Sequence, residues 1–360
     1  MLAPTSRRLP AATGSDTIAG MLRIEVLQTE NELADEFLAA LDARYLPEKF
    51  FYWFPLSVKA WLELCQGAQP YKNFSRSFQL VFAHAEHIAK ECAGRSEGCM
   101  EVVSLGAGQG DKDLLVLQAL REHAANDGAV VYRPVDASQA LLELAVKRAG
   151  EAGFAVTGVK ADVADPRTAE ALATYDKNSG ALAQVGTGEP ADRLYLVLGN
   201  SLGVMDPAQF LQMLSGLLRP QDRILLDGEI FGDETTMAGY DNPVNRRFAF
   251  APLASIGLEE GRDGALVFQS STDERMDGLH LVTKFFRAAR RLEIPVAGQR
   301  VTLEAEEQMG MNSSWKYSRE AFLRLVGEAG ALEVQQEFWS EDQRFLMVLA
   351  APAAAQRAGR

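Results

Sequence analysis

Hydrophobic positions fall into two textures along this chain. Between about residues 100 and 230, short apolar runs alternate with stretches of helical spacing. Glu101–Leu105 (EVVSL), Ala129–Val135 (AVVYRPV), Phe154–Val159, Arg193–Leu198 (RLYLVL) and Arg223–Leu226 read as strands. Asp111–His123, with Leu114, Leu115, Leu117 and Leu120 at helical spacing, reads as a helix, as do Ser138–Ala149 and Pro207–Leu218. Strands alternating with helices imply βαβ units and an α/β, doubly wound, largely parallel sheet. After Tyr240 the texture changes. Ala265–Ser270, His280–Arg290 and Gln299–Glu304 read as longer antiparallel strands, Arg319–Ala329 as a helix and Phe345–Ala350 as a closing strand.

This pattern gives an expected organisation. Residues 1–21 read as a disordered extension, a transit peptide being the other reading of its basic start. Residues 22–98 read as the helical N-terminal part of a substrate lid, and 99–235 as the nucleotide-type core. Residues 236–350 read as a β-rich substrate-binding part with the closing strand, and 351–360 as a disordered tail. The Gly-rich stretch at 176–192 reads as a surface insertion. The lid would cover the C-terminal edge of the sheet, where ligands bind in open α/β folds.

Composition narrows the function. With 36 basic and 49 acidic residues in 360, the net charge is −13, which disfavours a nucleic-acid partner. No apolar run approaches the roughly 20 residues needed to span a bilayer. Cys65, Cys92 and Cys99 form no paired framework, which points to a reducing cytoplasm. A monomer or weak dimer is expected.

The sharpest local signal is EVVSLGAGQGDKDLL, residues 101–115. A strand runs into Gly106, Ala107, Gly108, Gln109 and Gly110, and a helix begins at once. Asp111 stands where a dinucleotide fingerprint wants its third glycine, and a P-loop lysine motif is absent. Asp136 ends the next strand, where a carboxylate can accept both hydroxyls of a ribose. Asp162 follows the third strand, placed for an adenine amino group. Glycine loop and two acids, in order on one sheet edge, suggest S-adenosylmethionine.

The sequence also resembles the histidine-specific, S-adenosylmethionine-dependent methyltransferases, which trimethylate the α-amine of histidine. The likeness rests on LPEKFFY (46–52), SLGAGQGDKDLLVLQAL (104–120), YRPVDAS (132–138), LGNSLGVMDP (198–207), GYDNP (239–243) and NSSWKYS (312–318). It implies a class I, Rossmann-like methyltransferase core and an enzyme that methylates the amine of an amino acid or related small amine. Cofactor contacts are then expected from Gly106, Ala107, Gly108, Lys112, Asp136, Ala137, Asp162, Val163, Gly199 and Asn200. Lys112 would meet the methionine carboxylate. Tyr52 and Tyr240 are expected to orient the acceptor, Tyr71 to line its site, and Ser314 to help hold an imidazole.

Two positions depart from the family. Where the family has an asparagine gripping the polar end of the amino acid, this chain has Val204. Where it has a glutamate reading the imidazole, this chain has Asn312. An unmade buried hydrogen bond costs about 1–3 kcal/mol, so the expectation is the same chemistry on an acceptor other than histidine. A second reading is a catalytically silent S-adenosylmethionine-binding sensor or assembly protein. His84 and His87 have helical spacing for a metal but no third ligand, so no metal is expected. Asp227 and Glu229 read as solvated carboxylates at the sheet edge.

Overall fold

A computed structural model describes residues 22–66, 71–93, 99–124, 129–173, 192–296 and 298–353. The extension at 1–21, nearly all of the insertion at 176–192 and most of the tail at 351–360 lie outside them.

The sheet is built on strands whose side chains are buried on both faces, the pattern parallel strands require. β2 (Met100–Leu105) and β3 (Val130–Asp136) are buried throughout. Around them run β1 (Ile24–Val26), β4 (Ala155–Val156), β5 (Gly158–Lys160), β6 (Asp192–Val197), β7 (Arg223–Glu229), β13 (Leu332–Trp339) and β14 (Phe345–Pro352). The order is β1-β5-β3-β2-β6-β7-β14-β13, with β4 also on β3. Pairing is parallel from β1 to β7 and antiparallel for β14 and β13. The α/β, doubly wound expectation is met, and the Phe345–Ala350 run is the strand that closes beside β7.

Helices cover both faces. On one, α3 (Asn73–Ala93) and α4 (Asp111–His123) press Val81, Ile88, Val116 and Leu120 onto Val102, Leu194, Leu196 and Leu225. On the other, α7 (Pro207–Leu217) and α10 (Arg319–Arg324) bury Leu211, Leu214 and Phe322 against Val135, Tyr195, Val197 and Leu226. The chain also carries α5 (Gln139–Glu151) and α6 (Pro166–Ala173). The helix read as Arg319–Ala329 changes at Leu325 to a widened turn, with Gly330 N bonding Leu325 O.

A second core joins distant parts of the chain. It takes α1 (Glu30–Asp42), a 3-10 turn at Glu48–Phe51, α2 (Pro55–Leu64) and, after α8 (Asp233–Tyr240), α9 (Pro243–Ser255). With them pack β8 (Gly264–Thr272), β9 (Leu279–Ala288), β10 (Leu292–Val296), β11 (Gln299–Leu303) and β12 (Gln308–Tyr317). Leu33, Phe37, Phe50 and Phe51 meet Phe248, Phe286, Met309 and Met311 there.

Residues 22–98 are therefore not wholly a helical lid. Ile24–Val26 extends the parallel sheet on β5, and the amphipathic α3 buries its apolar face on the sheet. Among the described residues, no helix is long and apolar enough to cross a membrane.

Candidate active site

The loops after β2, β3, β5 and β6 open into one cavity of about 290 Å³, roofed by the second core. Every residue nominated from sequence lines it: Tyr52, Tyr71, Gly106, Ala107, Gly108, Lys112, Asp136, Ala137, Asp162, Val163, Gly199, Asn200, Val204, Tyr240, Asn312 and Ser314.

One end is the glycine loop. Gly108 adopts φ +56°, and an added Cβ would meet nothing within 4 Å, so the loop leaves an open cradle on its cavity side. Gly110 (φ +76°) caps α4, and a Cβ there would come within 3.0 Å of Ala145 Cβ. Asp136 Oδ2 accepts from Gly108 N and Oδ1 from Ser138 N, each at 2.8 Å. These bonds fix the carboxylate yet leave each oxygen a further lone pair. Burial pushes Asp136 up to about 6, although the two N–H donors favour its charged form. Asp162 Oδ1 accepts from Ala164 N, and its Oδ2 lies 2.9 Å from Lys49 Nζ. The Lys112 ammonium stands over the Phe74 ring, 5.1 Å from its centroid, and touches the space a Cβ on Gly199 would fill.

The other end is aromatic and charged. Tyr52 packs edge-on against Trp61, with centroids 5.2 Å apart, and donates to Glu48 Oε1 at 2.9 Å. Tyr71 meets Tyr240 edge-on at 5.6 Å. Burial raises the hydroxyls of Tyr52, Tyr71 and Tyr240 well above their ordinary range, so they remain neutral phenols. Ser314 Oγ has three neighbours: Asn200 Nδ2 and Tyr240 Oη at 3.2 Å, and Lys316 Nζ at 2.8 Å. All three donate to it, so its lone pairs are taken by the protein while its own O–H is left to donate.

Asp227 and Glu229 correct the sequence reading, because both are buried. Asp227 accepts from Gly199 N at 2.9 Å, from Asn200 N at 2.7 Å and from Ser77 Oγ. Glu229 Oε2 pairs with Lys316 Nζ at 3.0 Å and accepts from Asn73 Nδ2 at 2.6 Å. Asn200 is likewise structural in its side chain, accepting from Glu229 N at 3.0 Å. Away from the cavity, the His84 ring packs on Phe338 and His87 bonds Gln336. Among the described residues, no cluster of three or more His, Cys, Asp or Glu is placed to hold a metal.

Sequence reasoning missed Glu48, Lys49, Lys284 and Lys316. A signal existed for the last two. Val282, Lys284, Phe286 and Ala288 share one buried strand face, as do Asn312, Ser314 and Lys316. A lysine on the apolar parity of a strand marks a buried charge.

A family model for histidine-specific, SAM-dependent methyltransferases matches residues 33–352. The chain is 25% identical over 278 residues to a histidine N-alpha-methyltransferase of Mycobacterium tuberculosis (strain CDC 1551 / Oshkosh), covering 73% of this chain and 77% of that protein. Among solved structures, an S-adenosylmethionine-dependent methyltransferase from Clostridium acetobutylicum ATCC 824 is similar at TM-score 0.40 and 10% identity, covering 79% of this chain and 96% of its own. The Burkholderia thailandensis 1,6-didemethyltoxoflavin-N1-methyltransferase is similar at TM-score 0.41 and 13% identity, covering 89% and 90%. With the family match spanning nearly all of the described chain, this protein belongs to the histidine-specific, S-adenosylmethionine-dependent methyltransferases.

Proposed function

We propose that this enzyme N-methylates an amino acid or related small amine other than histidine. The observation that carries the reading is a single cavity lined at one end by the glycine loop with Asp136 and Asp162, and at the other by buried tyrosines. At the first end, the open cradle at Gly108 and the free lone pairs of Asp136 suit the amino-acid and ribose portions of S-adenosylmethionine. Gly106, Ala107, Ala137, Val163, Gly199 and Asn200 would complete the walls, with Lys112 toward the methionine carboxylate and Asp162 toward the adenine.

When bound, this cofactor supplies an electrophilic methyl on a sulfonium whose thioether leaving group is neutral. The protein's task is then to hold a deprotonated amine in line with that carbon. Tyr52 and Tyr240 are assigned to orient the acceptor as neutral hydrogen-bonding groups, with Tyr71 packed behind Tyr240. Three features disfavour histidine: Val204 offers no polar contact to an amino-acid end, Asn312 replaces a charged reader of the imidazole, and the Ser314 lone pairs are already engaged. Cys65, Cys92 and Cys99 form no disulfide among the described residues, which fits a cytoplasmic setting.

The test is S-adenosylhomocysteine release by the purified protein, with histidine beside the other amino acids and biogenic amines. Turnover on another amine with silence on histidine is expected. Efficient turnover on histidine would overturn the inference from Val204 and Asn312.

A further inference from the structure

The acceptor end of the cavity holds two opposite charges that do not meet. Lys284 projects from β9, is 3% exposed and lines the cavity. It makes no hydrogen bond or ion pair with any described residue; its ammonium lies 5.2 Å from the Phe51 ring centroid and 6.0 Å from that of Tyr240. Glu48, on the 3-10 turn before Tyr52, lines the same cavity, and its Oε2 is buried with no hydrogen-bond partner. Burial holds the Glu48 carboxyl above its usual range and pushes Lys284 down to about 8; the two are close enough for each to offset part of this by favouring the other's charge, yet no nitrogen–oxygen pair comes within 4 Å. The nearby Lys316 is already neutralised by Glu229 at 3.0 Å, so it does not complete either group.

Local backbone geometry supports a built site. Opposite Lys284, the register of β12 slips between Gly310 and Ser313, placing Met311 and Asn312 across from one residue. Such a bulge re-aims a side chain, and Asn312 sits at φ +60° with its Oδ1 buried and unbonded. Buried charges are ordinarily paired. Two unpaired opposite charges facing one cavity fit a ligand that carries both complements.

We propose that Lys284 and Glu48 form a two-charge seat for a zwitterionic acceptor: its carboxylate pairs with Lys284, and its amine faces Glu48 beside Tyr52. The seat rests on the reading of this cavity as the acceptor site. It accounts for Val204, because the anionic end of the acceptor is held from β9 rather than from the wall that Val204 occupies. The carboxylate is either the α-carboxylate or one on a side chain or longer amino acid.

The experiment is calorimetric binding to protein saturated with S-adenosylhomocysteine, followed by turnover with S-adenosylmethionine. The probes are α-amino acids, their methyl esters, their decarboxylated amines, and β-alanine and γ-aminobutyrate. At least one zwitterion should bind about tenfold or more tightly than its ester and its decarboxylated amine. Preference for α-amino acids identifies the α-carboxylate; preference for acidic or longer amino acids identifies the remote one. Lys284→Met should weaken that zwitterion by about tenfold or more and leave the decarboxylated amine within about twofold, while Lys284→Arg retains most binding. Glu48→Gln should weaken the zwitterion and the amine alike. S-adenosylhomocysteine affinity reports folding in each variant, and the wild-type panel stands without any variant. Equal binding of zwitterion and amine, or of none, overturns the seat. Zwitterion binding without methyl transfer would sink the methyltransferase reading and leave the seat intact.

Discussion

Lys49 and Asp162 form an ion pair, 2.9 Å between Nζ and Oδ2, that ties the 3-10 turn before Tyr52 to the loop after β5. Lys49 also meets Glu36 of α1 at 2.5 Å, and its two carboxylate partners hold its ammonium above the ordinary range despite burial. It lies between Glu48 and the Phe50–Tyr52 run, so one cation fixes the second core over the loop after β5.

Removing that cation should loosen both ends of the cavity together. Lys49→Met is expected to raise the KM for S-adenosylmethionine and for the acceptor, each about tenfold, the effect of losing roughly 1.4 kcal/mol of positioning. Steady-state release of S-adenosylhomocysteine with each substrate varied in turn decides it. A change confined to one KM would show that the pair does not bridge the two subsites.

If Asp136 holds the ribose as proposed, cofactor affinity should depend on pH. Its carboxylate titrates near 6 in the folded protein, pushed up by burial. Below that value, protonation removes an acceptor for the ribose hydroxyls, so S-adenosylmethionine affinity should fall as pH drops from 7 to 5. The stability linkage runs the other way: the raised value stabilises the fold below the ordinary carboxylate range, and this contribution is lost as pH rises through about 6. Calorimetric titration at pH 5, 6, 7 and 8 checks the affinity. Asp136→Asn should bind weakly with the acid-side loss abolished.

Much of the fold is legible in the sequence. The parallel strands announced themselves because burial on both faces demands continuous apolar runs, as in EVVSL and RLYLVL. The glycine loop and its two acids were readable because each is required by a local backbone or donor constraint. What escaped notice obeys long-range constraints. Gln308–Tyr317 is a strand whose inward face carries Asn312, Ser314 and Lys316, so it lacks the apolar alternation that marks a half-buried strand. Ile24–Val26 is too short to register without its partner β5. Asp227 and Glu229 look solvated until Asn73, Ser77, Asn200 and Lys316 arrive from elsewhere in the chain.

The Lys316–Glu229 pair should matter for folding. Lys316 is fully buried and Glu229 nearly so. Removing one partner strands the other charge at a cost of about 3–5 kcal/mol. Lys316→Met should therefore lower Tm by roughly 5–10 °C. Lys316→Met combined with Glu229→Gln should recover part of that loss, because no net charge is then buried. Thermal unfolding followed by circular dichroism measures both. A double variant no better than the single one would mean that the pair's hydrogen bonds to Ser314 and Asn73, rather than charge balance, carry the effect.

Histidine turnover should be recoverable if Val204 and Asn312 exclude it. Val204→Asn restores a donor and an acceptor to the cavity wall, a gain of about 1–3 kcal/mol for a buried polar contact that is made rather than missed. Asn312→Glu adds a carboxylate able to accept an imidazole N–H, but position 312 has φ +60°, a conformation asparagine tolerates better than glutamate. That strain makes the Asn312→Glu variant the less stable of the two, and the new carboxylate would stand across from Lys284, with which it could pair instead. The expected order of kcat/KM on histidine is therefore wild type lowest, either single variant intermediate, and the double variant highest by about tenfold or more. Adding Lys284→Met to the double variant should lower it again by about tenfold, because the carboxylate of histidine then loses its cation. Comparing kcat/KM on histidine across these four proteins and wild type tests the order. A double variant as inactive as wild type would place the determinant elsewhere, in the engaged Ser314 hydroxyl.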